Sequence, residues 1–196
     1  MLPKIWIFDT YSLMIGLGVI VCLLLFMLYN KKLKTNRDYV YLIEILGVLS
    51  VMVGLLSATL FQYVFDSLNK DSTNSFGAMT FYGGLIGGAI FFIIGYYVYV
   101  RKKYPGESFI KTILIIAPAC ITIAHAFGRI GCFSAGCCYG KETDSFLGIK
   151  FPDLANKVYP TQLFEAIFLF VLTAVLFLLA YKFYFLYTMP LYMISY

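Results

Sequence analysis

The sequence predicts an all-α fold, a polytopic membrane helix bundle with five full transmembrane helices and a truncated sixth. The first observation is composition: 61% of the 196 residues are hydrophobic and 13% are charged, with a mean hydropathy of +0.85. Soluble domains carry about twice that share of charge. The second is the 17 Tyr and 19 Phe residues, because aromatic side chains are enriched at membrane interfaces. The third is a series of long apolar stretches, and together they exclude a soluble globular protein.

The apolar stretches give the positions of the helices. Crossing a bilayer core of about 30 Å takes about 20 helical residues. We predict spans at 11–29, 39–65, 78–100, 109–127 and 163–185. A sixth apolar stretch begins near Leu186 and ends at Tyr196, which is about half the length of a span. Because no soluble segment interrupts this series, residues 1–196 are predicted to form a single membrane-embedded domain.

The basic residues indicate the orientation of these helices. They cluster at 31–37 and 101–111, directly beside apolar stretches, as in loops that stay on the cytoplasmic side. Alternation then places the N-terminus, the loop 66–75 and the segment 129–159 on the outside. The net charge of +5 is explained by these loops, and no nucleic-acid partner is expected without a basic face that carries base-stacking side chains.

The segment "FYGGLIGGAIF" (81–91) has small residues spaced four apart, among them Gly83 and Gly84. One interpretation is helix packing, because a helix face without side chains lets another backbone approach closely in lipid. The other is a lipid-binding face, in which the bare backbone leaves room for a headgroup and the Tyr82 hydroxyl donates a hydrogen bond at its edge. The sequence leaves both interpretations open.

The segment "AHAFGRIGCFSAGCCYGKET" (124–143) concentrates polar chemistry between two apolar stretches and contains the only histidine. Arg129 either extends to the membrane interface or binds a phosphate through two guanidinium N–H groups. The flanking Gly128 and Gly131 favour phosphate binding, since glycine permits tight turns and close approach of a ligand. His125 precedes Arg129 by one helical turn, so we expect both on one face. Its imidazole suits acid–base catalysis or a hydrogen bond to a neighbouring helix.

Three of the five cysteines lie in the same segment, at Cys132, Cys137 and Cys138. Their C-x4-C-C spacing matches none of the common C-x2-C zinc patterns, so no metal site is predicted. Two interpretations remain open. One is a disulfide between Cys132 and one of the pair, as expected in an oxidising compartment, and the other is a reactive thiol.

The segment "YPTQLFEA" (159–166) predicts the start of another helix, because Pro160 suits the first turn. A carboxylate near this end is favoured by the helix dipole, which is a sufficient reason for Glu165. Glu165 is also expected near the headgroup level, where it is able to pair with Arg129.

Four motifs recur in the same order in bacterial prolipoprotein diacylglyceryl transferases: "TYSLMIG", "FYGGLIGG", "IAP" followed by "GRIGCFSAGCCYGK", and "YPTQLFEA". The chain resembles that family over nearly its whole length. The resemblance implies a seven-helix bundle with the N-terminus outside, in the bacterial cytoplasmic membrane. It also implies transfer of the diacylglyceryl group of phosphatidylglycerol to the lipobox cysteine in the signal peptide of a prolipoprotein, at the outer leaflet, with no metal or cofactor.

The residues and the resemblance together give two sets of candidate site residues. The catalytic set is Tyr82, His125, Arg129 and Glu165. The substrate-binding set is Tyr11, Gly83, Gly84, Gly128, Gly131, Cys132, Gly136, Gly140 and Gln162.

The chain departs from the family at several positions. Tyr82 replaces the family's histidine, Cys132 replaces its asparagine, and Cys137 replaces its acidic residue. The segment 141–158 is much shorter than the family's periplasmic region. Beyond Tyr196 the family continues into an R-F-x-x-E-F-x-R motif and a seventh helix, so this chain is expected to be a fragment or to lack that part of the site. The alternatives are a divergent paralogue with another acceptor or a cysteine-based site, and a non-enzymatic lipid-binding membrane protein.

Overall fold

The computed structural model describes residues 4–5, 8–68, 81–152 and 154–196. The helices are α1 (Thr10–Leu33), α2 (Arg37–Leu68), α3 (Phe81–Gly95), α4 (Arg101–Lys103), α5 (Ala117–Ala135), α6 (Thr161–Phe183) and α7 (Thr188–Ser195). A π-helical turn, Tyr96–Val100, joins α3 to α4, and a second, Ile110–Leu114, precedes α5. Two strands of two residues each, β1 (Lys4–Ile5) and β2 (Phe8–Asp9), pair antiparallel. The predicted all-α fold class is confirmed.

Five helical segments of the described chain are long and apolar enough to cross a membrane. They are Thr10–Leu33, Arg37–Leu68, Gly83–Lys103, Ile110–Ala135 and Thr161–Phe183. Each matches one predicted span, although residues 78–80 and most of the predicted loop 66–75 lie outside the described residues. The predicted truncated sixth helix is the short α7.

The end of the fourth span differs from the prediction. The predicted span ended at residue 127, but helix α5 continues two turns further to Ala135, so Gly128 and Gly131 are both helical. The hydropathy signal weakens at the polar "GRIG" segment, but helical backbone hydrogen bonds continue through it because they do not depend on side-chain polarity. The left-handed turn that ends the helix lies at Gly136, with φ of 72°.

The helices form two compact units. The first combines the described residues of Met1–Lys34 with Ser108–Tyr196, and the second is Thr35–Glu107. We call them the α1/α5/α6 unit and the α2/α3 unit. That residues 1–196 act as a single membrane-embedded domain stays a prediction.

In the α1/α5/α6 unit, α1 runs antiparallel to α5. A Cβ at Gly18 would lie 3.1 Å from the Cβ of Phe127, so the two helices approach closely there. At the other end, the buried Tyr29 hydroxyl donates a 2.8 Å hydrogen bond to the carbonyl oxygen of Lys111. The end that carries Tyr29 and Lys111 therefore lies opposite the end that carries Arg129.

Helix α6 also packs antiparallel against α5. The buried Thr173 hydroxyl donates a 2.9 Å hydrogen bond to the Thr122 hydroxyl oxygen, a polar contact that joins helices in hydrocarbon. The rings of Phe127 and Phe170 pack edge to face with centroids 5.5 Å apart. This register brings the C-terminal end of α5 beside the N-terminal end of α6.

The α2/α3 unit is held by the glycines that the sequence singled out. A Cβ at Gly83 would lie 2.7 Å from the Cβ of Phe61, and one at Gly84 would lie 3.1 Å from the carbonyl oxygen of Gly54. The Ser57 hydroxyl donates a 2.8 Å hydrogen bond to the carbonyl oxygen of Gly83. Of the two interpretations of this motif, these contacts support helix packing.

We expect Gly54→Ala to destabilise the α2/α3 unit by about 1–3 kcal/mol, the usual effect of inserting an atom into a packed interior. The new Cβ would lie 2.9 Å from the carbonyl oxygen of Gly84, which is backbone and unable to move away independently. The measurement is the free energy of unfolding in mixed detergent micelles, titrated with sodium dodecyl sulfate.

Gly47→Ala is the matched control on the same helix, because a Cβ there would meet no described atom within 4 Å. It is expected to be neutral or stabilising by up to about 1 kcal/mol, since alanine is the better helix former. Equal stability of the two variants would contradict the close approach of α2 and α3.

Candidate active site

An ion pair joins the two most polar motifs of the chain. Helix α5 carries Arg129 and helix α6 carries Glu165, and the distance from Nη2 to Oε2 is 2.6 Å. The predicted pairing of these residues is confirmed. Their side chains are 26% and 23% exposed, so the pair is sheltered from most of the solvent and still accessible to a ligand. A charge-assisted contact of this kind fixes the direction of the guanidinium group.

His125 and Tyr196 approach the same carboxylate. His125 Nε2 lies 3.7 Å from Glu165 Oε1, which confirms that His125 and Arg129 share one face of α5. The Tyr196 hydroxyl donates a hydrogen bond to the same Glu165 oxygen and lies 3.5 Å from His125 Nε2. The cluster of Arg129, Glu165, His125 and Tyr196 is called the Arg129 cluster below.

Tyr196 was not among the predicted site residues. It follows α7, and its ring packs edge to face on the His125 ring with centroids 5.1 Å apart. Burial, together with the hydrogen bond to Glu165, raises the pKa of the Tyr196 hydroxyl, so this group is a hydrogen-bond donor at neutral pH. The sequence shows only a tyrosine one turn after Tyr192 in a short apolar helix, which gives no sign of a contact with Glu165.

The guanidinium group of Arg129 keeps an unused donor. Its Nε is buried and has no hydrogen-bond partner among the described residues. The neighbouring Gly128 leaves space, because a Cβ at this position would meet no described atom within 4 Å. A buried donor without a partner calls for a ligand or water, and a guanidinium N–H suits a phosphate oxygen.

Tyr11 lies at the same end of the unit as the Arg129 cluster. A Cβ at Gly131 would lie 2.8 Å from Cδ2 of Tyr11, so the missing side chain of Gly131 lets the Tyr11 ring pack on the backbone of α5. Two predicted substrate-binding residues thus contact each other, and Tyr11 remains 37% exposed.

Gly136 ends α5 in a left-handed conformation. The Gly136 N–H donates to the Phe133 carbonyl oxygen at 3.2 Å, and the Cys137 N–H donates to the Cys132 carbonyl oxygen at 3.1 Å. This pattern is a Schellman motif, which turns the chain sharply after a helix. The predicted substrate-binding Gly136 therefore shapes the chain that follows Arg129.

We expect Gly136→Ala to destabilise the α1/α5/α6 unit by about 1–2 kcal/mol, the usual penalty for a side chain in the left-handed region. The new Cβ would also lie 3.4 Å from Cδ1 of Phe151. Thermal unfolding in detergent, followed by circular dichroism, measures the effect. Gly128→Ala is the stability control on the helix that Gly136 ends. It is expected to unfold at no lower temperature than the unaltered protein. If Gly136→Ala unfolds at the same temperature as Gly128→Ala, the left-handed conformation of Gly136 is not needed for stability.

The loop after α5 brings the three cysteines together. The Sγ atoms of Cys132, Cys137 and Cys138 all lie within 4.8 Å of one another, and these residues carry free thiols in the described chain. The Sγ atoms of Cys137 and Cys138 are 3.5 Å apart. Burial, with the hydrogen bond to Cys138, raises the pKa of the Cys137 thiol to about 12. A thiol that stays protonated at neutral pH is a poor nucleophile, so Cys137 does not resemble a reactive cysteine on its own.

The first turn of α6 holds this loop in place. Gln162 is fully buried, and its Nε2 donates a 2.5 Å hydrogen bond to the carbonyl oxygen of Cys137. The Thr161 hydroxyl donates a 3.2 Å hydrogen bond to the carbonyl oxygen of Cys138. A Cβ at Gly140 would lie 2.7 Å from Cγ2 of Thr161, so the loop passes close to α6 only with glycine there. The substrate-binding roles of Gln162 and Gly140 stay predictions.

Three predicted residues belong to the α2/α3 unit. Gly83 and Gly84 lie against α2, as described above. Tyr82 lies in the first turn of α3, and its side chain is outside the described part of the chain. Their catalytic and substrate-binding roles stay predictions.

Comparison with known proteins identifies the family. The sequence profile described as prolipoprotein diacylglyceryl transferase matches residues 4–196. A phosphatidylglycerol–prolipoprotein diacylglyceryl transferase of Clostridium tetani (strain Massachusetts / E88) is 35% identical over 175 residues, which are 83% of this chain and 65% of the relative. Phosphatidylglycerol–prolipoprotein diacylglyceryl transferase 2 of Clostridium perfringens (strain 13 / Type A) is 37% identical over 183 residues, 88% of this chain and 67% of the relative.

A more distant relative agrees with these two. The protein of that name from Dehalococcoides mccartyi (strain CBDB1) is 28% identical over 169 residues, 81% of this chain and 62% of the relative. The chain spans about two thirds of the length of these relatives. The profile match over 4–196 and the ordered motifs together show that the chain belongs to the prolipoprotein diacylglyceryl transferase family.

Proposed function

We propose that this multi-pass membrane protein transfers the diacylglyceryl group of phosphatidylglycerol to the lipobox cysteine thiol of a prolipoprotein. The relatives named above are phosphatidylglycerol–prolipoprotein diacylglyceryl transferases. The single observation that carries the proposal is the Arg129–Glu165 ion pair. It brings two separate sequence motifs together and holds the Arg129 guanidinium group where a phosphate is able to reach it.

In the proposed reaction the acceptor thiolate attacks the carbon of the diacylglyceryl group that is bonded to the phosphate oxygen. A carbon–sulfur bond forms, the carbon–oxygen bond to the phosphate breaks, and glycerol phosphate leaves with the bonding electron pair. Glu165 holds Arg129 through Nη2, while the unpartnered Nε of Arg129 binds a phosphate oxygen and offsets its charge. This stabilises the leaving group in a sheltered site, where such contacts have the largest effect on rate.

The acceptor thiol must lose its proton, because the thiolate is the nucleophile. We assign that proton to His125, whose imidazole is accessible and lies beside Glu165. The carboxylate stabilises the imidazolium ion that forms, as in other paired acid–base sites.

The site is proposed to face the outer leaflet of the bacterial cytoplasmic membrane. The basic residues Lys31, Lys32 and Lys111 lie at the opposite end of the α1/α5/α6 unit, where Lys32 donates a hydrogen bond to the Tyr181 carbonyl oxygen. Such a basic end stays on the cytoplasmic side, so the Arg129 end is directed outward, toward the signal peptide of an exported prolipoprotein.

The test is lipidation of a synthetic lipobox peptide by the full-length protein in vesicles. We expect a mass increase of one diacylglyceryl group in vesicles with phosphatidylglycerol, and none in vesicles made only of phosphatidylethanolamine. A peptide with serine in place of the lipobox cysteine is the acceptor control. A folded protein that forms no product in phosphatidylglycerol vesicles would refute the proposal.

A further inference from the structure

The three thiols of the loop after α5 converge on one point. Their Sγ atoms lie within 4.8 Å of one another although Cys132 is on α5 and Cys137 and Cys138 follow its end. Tetrahedral zinc with zinc–sulfur bonds of about 2.3 Å holds its sulfur ligands about 3.8 Å apart. The 3.5 Å between the Cys137 and Cys138 sulfurs is close to that value, so small side-chain rotations suffice to bring all three sulfurs onto one ion.

The backbone holds this arrangement from both sides. On the α5 side, the Schellman motif at Gly136 returns the chain toward Cys132. On the α6 side, Gln162 and Thr161 bind the carbonyl oxygens of Cys137 and Cys138. Cys138 itself has φ of 62°, an uncommon conformation for a residue with a side chain, and such strain persists only where the surrounding contacts impose it.

The cluster supplies three ligands and leaves one coordination position open. Within the described ranges, no fourth His, Cys, Asp or Glu has its ligand atom in the same cluster. Cys137 and Cys138 are exposed, so the cluster is open to an external ligand. Three protein ligands with a free fourth position are typical of reactive zinc sites, whereas structural sites have four. Thiolates select thiophilic cations such as Zn²⁺ over Mg²⁺ or Ca²⁺.

We propose that Cys132, Cys137 and Cys138 bind one thiophilic divalent cation, with zinc as the natural ion, and that its fourth position accepts an external thiolate. The C-x4-C-C spacing did not predict a metal site. The common zinc patterns are pairs of ligands separated by two residues, whereas here a loop folds back and brings its cysteines to one on the preceding helix. The external thiolate rests on the proposed function, in which the ligand is the acceptor cysteine. A thiol loses its proton more readily when it coordinates such an ion, and that proton passes to His125, the base assigned above.

The first experiment measures the metal site alone, without lipid substrate or peptide. The reduced protein in detergent is titrated with Cd²⁺, and binding is followed by the ultraviolet thiolate-to-cadmium band and by protection of thiols from alkylation. We expect one ion per chain and protection of the three clustered cysteines. The double variant Cys22→Ser/Cys120→Ser is the matched control and is expected to bind as the unaltered protein does, because those cysteines lie on α1 and α5 away from the cluster.

Serine substitution at any one clustered cysteine is expected to weaken Cd²⁺ binding by at least about tenfold, since even residues that only support a ligand change affinity by about 10- to 100-fold. The circular dichroism spectrum of each variant reports whether it has folded. Unaltered Cd²⁺ affinity in a folded Cys138→Ser variant contradicts the three-thiolate site. A reduced protein that binds no Cd²⁺ also contradicts it.

The second experiment tests the open position with Co²⁺ as the probe ion. A lipobox peptide with cysteine is expected to strengthen the thiolate-to-cobalt band of the loaded protein, and the serine peptide is expected to leave it unchanged. Cadmium binding without this response would overturn the external thiolate and leave the metal site standing. Because neither readout uses lipid transfer, failure of the lipidation assay is distinguishable from failure of the site.

Discussion

Replacing Arg129 by Ala is expected to lower kcat/KM for phosphatidylglycerol-dependent lipidation by at least about 100-fold, the usual loss when a group that stabilises developing charge is removed. Arg129 carries the only guanidinium in the Arg129 cluster, and its Nε is the donor that we assign to the phosphate. Alanine removes both the charge and this donor. The measurement is the initial rate of peptide lipidation at several phosphatidylglycerol fractions in the vesicle.

Two variants make this result specific. Arg129→Lys keeps the charge but loses the planar pair of donors, so an intermediate rate is expected. Arg101→Ala is the matched control, because Arg101 lies in α4 of the α2/α3 unit and stacks on Tyr97 with its Cζ 5.4 Å from the ring centroid. A folded Arg129→Ala variant that lipidates the peptide as fast as Arg101→Ala would exclude Arg129 from the reaction.

Replacing Glu165 by Gln is expected to lower kcat/KM by about tenfold, which corresponds to about 1.4 kcal/mol of transition-state stabilisation. Glutamine keeps the shape of the side chain and is able to accept hydrogen bonds from Arg129 and Tyr196. It removes the negative charge that orients Arg129 at 2.6 Å and stabilises protonated His125. The loss is therefore smaller than for Arg129→Ala. The difference between the two losses separates the part of Glu165 in orienting Arg129 from the part of Arg129 in binding the phosphate.

The double variant Arg129→Lys/Glu165→Gln tests whether the two residues act together. Side chains in direct contact give non-additive effects, so the double variant is expected to lose less than the sum of the single losses. Glu142→Gln is the control, because Glu142 lies in the loop after α5 and accepts a 2.9 Å hydrogen bond from Asn156. Fully additive losses would show that Arg129 and Glu165 contribute independently.

The membrane-spanning helices were predictable because crossing hydrocarbon imposes a local requirement. Each span needs about 20 mostly apolar residues in succession, and all five predicted stretches correspond to helical segments of sufficient length. The boundaries were less accurate. Helix α5 passes through Arg129 and ends at Ala135, where Gly136 caps it, since the position of a helix end depends on its cap and not on hydropathy.

The candidate site was predictable only in part. Glu165 was already a candidate partner of Arg129, because both were expected at the headgroup level, and the ion pair is present. The contact of Tyr196 with Glu165 and His125 was missed. It depends on how α7 packs against the other helices of its unit, and a short apolar segment does not encode that direction in its own residues.

The sequence by itself determined that this protein is a membrane helix bundle and carries the ordered motifs of its family, because hydropathy and motif order are properties of consecutive residues. Only the tertiary structure decided that Gly83 and Gly84 pack against α2 and that Cys132 meets Cys137 and Cys138. It also brought Arg129, Glu165, His125 and Tyr196 to one end of the α1/α5/α6 unit. These contacts follow from the register and rotation of packed helices, which are set by the complementary surfaces of both partners.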